Sequence, residues 1–144
     1  MNDFRLAKQL EADEGFVPHA YQDSLGFWTI GIGHLIDKRK GGGITRDEAL
    51  YLLGNDIKRT WGQLVTALPW IISAPEPIQE VLVNLAFNLG YAGLLKFTQT
   101  LAHMQAGRYS AAASEMLKSA WAGQVGARAE RLATVVRNCA TPEG

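Results

Sequence analysis

Glu14, Asp23 and Thr29 lie within sixteen consecutive positions, and side chains of these types could divide the work of splitting a glycosidic bond. One carboxyl must keep its proton to give it to the leaving oxygen, while the other stays ionised and aims a water. A hydroxyl beside the second carboxylate can help to hold that water. The elements that would have to position them can be read from the same segment. Residues 3 to 13 read as a helix, with Asp3 as the N-cap and Gly15 as the C-terminal stop. Leu6, Leu10 and Glu14 fall at i, i+4 and i+8, so Glu14 extends an apolar stripe and ends the helix at its negative pole. Desolvation and the dipole would both favour the protonated form that a general acid needs. An exposed glutamate on a frayed last turn explains the same residues equally well.

Asp23 opens the turn Asp23-Ser24-Leu25-Gly26. Aspartate suits that place because its carboxylate accepts backbone N–H groups, which is a complete structural explanation. The same turn would keep the carboxylate hydrated and ionised, as the second group of a glycosidase requires. From Phe27 to His34 the chain alternates with period two, Phe27, Thr29, Gly31 and Gly33 on one face and Trp28, Ile30, Ile32 and His34 on the other. Thr29 is thereby expected on the side that the glycines leave open. Gly31 and Gly33 weaken a strand, which suggests a close approach to the backbone there. The Ile-Gly-Ile-Gly run lacks the third glycine, the lysine and the following helix of a phosphate loop.

Helix-Glu14-Gly15, then Tyr21-x-Asp23-x-x-Gly26, then Thr29-Ile-Gly-Ile-Gly-His34, resembles the phage-type lysozyme family of glycoside hydrolases. The likeness continues in order through Ile44–Ala49, Asn55-Asp56, Phe87–Gly90, Lys118-Ser119-x-Trp121 and Arg128–Arg131, with a short connection around residues 37 to 43. The resemblance implies an α+β, mostly α-helical fold. A small antiparallel sheet lobe (about 14–45) and a helical lobe (about 75–140, with helix 3–13 packed on it) would be joined by a long helix (about 45–67). It implies Glu14 as general acid, Asp23 as the second carboxylate and Thr29 as the water-positioning partner. Sugar contacts are implied at Leu35, Phe87, Thr100 and Glu115, although Glu115 departs from the neutral amide expected there. Supporting roles fall to Arg128, set beside Glu14, and to His34, set against Asp56. The implied activity is that of an endolysin, a muramidase acting on peptidoglycan glycan strands. It would work as a monomer without a cofactor, from the host cytoplasm, and depend on a separate pore-forming holin.

Composition fits such an enzyme. The 144 residues are 47% hydrophobic, enough for one domain with a real core and room for two lobes around a cleft. A formal net charge of zero argues against nucleic acid as the main partner and departs from a basic, wall-seeking surface. Local basic spots remain at Lys38-Arg39-Lys40 and at Arg128 with Arg131. The lone Cys139 excludes an internal disulfide and reads as a small apolar residue. The first residues begin a polar amphipathic helix, so neither a secretory signal nor a membrane span is expected. His19, His34 and His103 are scattered without ligand spacing, which disfavours zinc.

Beyond the motif the chain reads as helical. Thr45-x-x-Glu48 is a capping box that opens a helix of about 22 residues before Pro69. Gly41-Gly42-Gly43 reads as the most flexible link. Further helices are expected at 78–89, 98–106, 109–118 and about 127–138, with Trp61 and Trp121 in the core. Three readings stand: a muramidase; a lytic transglycosylase, which needs one acid and no partner carboxylate; and a non-catalytic wall-binding protein.

Overall fold

The computed structural model describes residues 2–36 and 41–140; the basic run Lys38-Arg39-Lys40 lies outside them. The chain forms two compact units, Met1–Leu53 and Gly54–Gly144, with the division inside one long helix.

The first unit begins with α1, Asp3–Glu14. Its cap is Asn2 rather than Asp3: Asn2 Oδ1 accepts the Arg5 N–H at 3.0 Å, and Asp3 instead places a negative charge in the first turn. Gly15 stops the helix with φ 77°, its N–H returning to Glu11 O at 2.8 Å. A three-stranded antiparallel sheet follows, in the order β1 (Val17–Gln22), β2 (Trp28–Gly31), β3 (His34–Leu35). Tyr21 and Leu35 flank Thr29 from the two outer strands. The β1–β2 ladder is irregular between Val17 and Tyr21, where Pro18 has no N–H to contribute.

The single alternating strand expected from Phe27 to His34 does not form. The chain turns at Ile32-Gly33 and returns as β3, with Ile30 opposite His34. Gly31 and Gly33, at φ 70° and 67°, take left-handed conformations that suit glycine and close a tight hairpin. The glycines mark a turn, and the close approach expected at them is found at Gly33 but not at Gly31.

The long helix α2, Arg46–Ala67, has the expected 22 residues. Its capping box is reciprocal: Glu48 N donates to Thr45 Oγ1 at 3.1 Å and Thr45 N donates to Glu48 Oε1 at 2.9 Å. Gly42 is a packing position as well as a link, because a Cβ there would stand 2.6 Å from Cδ1 of Trp28.

The second unit continues with a 3-10 helix, Pro69–Ser73, and six α-helices: α3 (Glu76–Leu89), α4 (Tyr91–Leu95), α5 (Thr98–Gln105), α6 (Tyr109–Lys118), α7 (Ala120–Val125) and α8 (Ala127–Arg137). The 3-10 turn and the short α4 and α7 have no counterpart in the sequence reading. A helix of five or six residues holds too little of a 3.6-residue period to be recognised. Gln79 ties the 3-10 turn to α3 by donating to the carbonyls of Ile71 and Ile72. Leu64, Ile71, Ile78, Leu82, Leu85, Leu94, Met104, Met116 and Val136 form the fully buried core. Trp121 is buried, lies edge-on to Phe97 with ring centroids 6.1 Å apart, and donates its indole N–H to Asn88. Trp61 is half-buried and packs against this core. Among the described residues no helix is long and apolar enough to cross a membrane.

Candidate active site

Each of the three candidate residues is placed by a different feature of the first unit. Asp23 is fixed by its turn. Its Oδ1 accepts the N–H groups of Leu25 and Phe27, both at 2.9 Å, while its own N–H donates to Phe27 O at 2.8 Å. Among the described residues both side-chain bonds fall on Oδ1, so Oδ2 keeps its lone pairs for another donor. A carboxylate tied down through one oxygen can orient a water with the other.

Thr29 is fixed by burial. It is 5% exposed and is the one buried residue among those described in the first unit. The sequence reading put it on the side left open by glycines; the structure encloses it instead, on the central strand between Tyr21 and Leu35. Its hydroxyl has a long contact to Phe27 O, 3.4 Å, so it is only weakly committed to the protein.

Glu14 ends α1 and is exposed, which corrects the burial expected for it. The stripe it extends is not buried either, since Leu6 and Leu10 keep 37% and 44% of their surface. The Glu14 carboxyl stands over the β2–β3 hairpin. A Cβ built on Gly33 would stand 2.9 Å from Glu14 Oε2, 3.0 Å from Cδ and 3.2 Å from Cγ, so the acid lies directly on that glycine. Asp23 is thus anchored just before β2 and the Glu14 carboxyl stands just beyond its other end, with Thr29 on the strand between them.

Each of the supporting residues has a partner within its own unit. His34 Nε2 meets the carboxylate of Glu48, while Asp56 pairs with Arg59 one turn along the same helix. Within the first unit His34 is thus bonded to the residue that also caps α2. Hydrogen bonding to Thr45 first, and the neighbouring His34 after it, hold the Glu48 carboxyl below its ordinary range, against a smaller upward push from burial. Arg128 is clamped by Asn84, donating through Nε to Oδ1 at 3.1 Å and through Nη2 to Oδ1 at 2.7 Å and to the carbonyl O at 3.3 Å. Neither Glu48 nor Asn84 could be chosen as partner from spacing, because each contact is set by packing between elements.

Of the four positions implied for sugar contact, two share a hollow. Thr100 and Glu115 line a cavity of about 310 Å³ with Lys96, Gln99, Lys118 and Ser119. Glu115 faces Lys118 at 3.7 Å, and Thr100 is itself 4% exposed. Phe87 lies outside that hollow, 43% exposed on α3, and Leu35 is 42% exposed on β3 in the other unit. Cys139 is half-buried against the core and its Sγ donates to Val135 O; burial raises its thiol above the ordinary range.

The family described as Phage lysozyme matches residues 11–137. The pre-baseplate central spike protein Gp5 of Enterobacteria phage T4 is 30% identical over 91% of this chain, which spans 27% of that protein. Probable T4-type lysozyme 1 of Dictyostelium discoideum is 26% identical, covering 91% of this chain and 92% of its own length. An endolysin of Acyrthosiphon pisum secondary endosymbiont phage 1 is 30% identical over 73% of this chain and 70% of the relative.

Proposed function

The chain belongs to the phage lysozyme family, and on that premise we propose that it is an endolysin whose catalytic residues are Glu14, Asp23 and Thr29. As a lysozyme it is a glycoside hydrolase of peptidoglycan. The bond assigned to it is the β-1,4 link between N-acetylmuramic acid and N-acetylglucosamine. The observation that carries the reading is the arrangement around β2. A carboxylate with one oxygen tied to the backbone, a buried threonine hydroxyl with one weak contact, and an exposed carboxyl lying over a glycine all stand around the same short strand and its turns.

In this reading Glu14 gives its proton to the leaving glycosidic oxygen. Asp23, through Oδ2, takes a proton from a water that the Thr29 hydroxyl helps to hold. That water then attacks the anomeric carbon from the face opposite the leaving group, so the product is inverted. An inverting pair separates its carboxyl groups by roughly 6.5–9.5 Å, which leaves room for the water. Leu35, Phe87, Thr100 and Glu115 are assigned to the glycan strand, and Arg128 to support of the site. Lysis of a host, with delivery through a separate holin, completes the proposal; clearing by cells expressing the chain should then require a co-expressed pore.

Analysis of the sugar ends released from purified peptidoglycan tests the reaction class. Reducing ends support hydrolysis, anhydro ends would indicate transglycosylation, and no release would indicate a binding protein. Polarimetry or NMR of the first-formed anomer tests inversion. A covalent glycosyl group trapped on Asp23 would contradict it.

A further inference from the structure

Gly31 and Gly33 bracket one hairpin and share the same backbone demand, with φ 70° and 67°, yet what a side chain would meet at the two positions differs completely. A Cβ at Gly31 has nothing within 4 Å. A Cβ at Gly33 falls on three successive atoms of Glu14, with the carboxyl oxygen nearest at 2.9 Å. Real Cβ atoms do not come that close, so one of the two groups would have to move. The backbone of a two-residue turn pinned between paired strands has little freedom to do so. The glutamate, exposed at the end of its helix, has more. From this contrast we propose that Gly33 is a positioning residue for catalysis: its missing side chain leaves open the place where the Glu14 carboxyl stands. The proposal rests on the reading of Glu14 as general acid and adds to it the feature that leaves the acid its place.

The mechanism is steric and local. An added methyl displaces the carboxyl by about the ångström that separates a 2.9 Å approach from ordinary van der Waals contact. A displacement of that size can cost on the order of 10²-fold in rate, because proton transfer needs the acid at hydrogen-bonding distance from the leaving oxygen. Substrate affinity depends on other surfaces and should change little. The loss should therefore fall on kcat and leave KM nearly unaltered.

The paired glycines supply the test, since left-handed strain is common to both. Gly33→Ala should lower kcat on purified peptidoglycan by about 10²-fold, whereas Gly31→Ala should lower it far less. A thermal double-mutant cycle reads the contact without using activity. The fall in melting temperature caused by Gly33→Ala should shrink toward that of Gly31→Ala once Glu14→Ala removes the opposing carboxyl. Should Gly33→Ala fail to fold alone, recovery of folding in Glu14→Ala/Gly33→Ala supports the proposal, and no recovery overturns it. Equal kcat losses at the two glycines, or a melting penalty at Gly33 that is independent of Glu14, also overturn it. Full activity of Glu14→Gln would instead defeat the reading of Glu14 as the acid, and the thermal cycle would still report whether the contact exists.

Discussion

At Glu14, Asp23 and Thr29 chemistry and structure make separable demands, so substitutions can part them. Glu14→Gln keeps the shape that rests on Gly33 but has no acidic proton to give. Turnover should fall by on the order of 10²–10⁴ with the melting temperature held, measured by turbidity clearing and calorimetry. Asp23→Asn retains an oxygen for the Leu25 and Phe27 N–H groups, so the turn should survive while the base is lost. Its activity should be severely reduced yet measurable, because aiming a water is more easily shared than donating a proton. Thr29→Val replaces the hydroxyl by a methyl of the same shape in a site that is 5% exposed. The hydroxyl makes one weak contact, so stability should change by about 1 kcal/mol or less. A large activity loss beside so small a stability change would assign the hydroxyl to the water. The identities of these three residues were legible in the sequence because turn chemistry and helix ends are local. The surface under Glu14 was not, since it depends on where a hairpin returns in space.

At the scale of elements, Glu48 does two jobs with one carboxylate. Oε1 closes the capping box of α2 and Oε2 meets His34 on β3, so the start of the long helix and the edge of the sheet share a fastening. Its carboxyl is held below the ordinary range in the folded chain by Thr45 and His34. A group depressed on folding adds stability above its unfolded pKa and loses it as the pH falls through the folded value. Acidification below the usual carboxylate range should therefore loosen the β3–α2 fastening, an effect that Glu48→Gln should remove from the pH profile of melting. Thr45→Ala should cost about 1 kcal/mol as a lost cap, and His34→Ala should lower stability through Glu48. The capping box and the long helix were legible because both are read along one chain segment. The bond from His34 to Glu48 was not, because sequence spacing singles out no one residue of that helix. The strand expected to run on to His34 failed for the opposite reason. Alternation of residue types continues straight through a two-residue turn, and only the positive φ of the glycines reveals it.

At the scale of the whole molecule, the distribution of buried surface is lopsided. Every fully buried apolar side chain among the described residues lies between Leu64 and Val136, whereas residues 2–36 and 41–53 enclose only Thr29. The sheet proposed to carry the chemistry is therefore held by backbone pairing, by turns and by the Glu48 fastening more than by a core of its own. Sites of this kind come from the less stable end of a protein, since local opening costs little where few apolar contacts must be broken. Leu85→Ala, in the centre of α3, should cost about 2–5 kcal/mol, while Leu10→Ala, with its side chain already 44% exposed, should cost under about 1 kcal/mol. Amide hydrogen exchange offers the sharper test, because it reads each element separately. The amides of β1, β2 and β3 should exchange through openings well below the global unfolding free energy, while those of α3, α6 and α8 should exchange only with global unfolding. Leu85→Ala should speed exchange in the helices and leave the sheet nearly unchanged. If the sheet amides prove as protected as those of α3, and slow and quicken with them in Leu85→Ala, the first unit has no separate stability, and its fastening by turns and Glu48 is not what limits its opening.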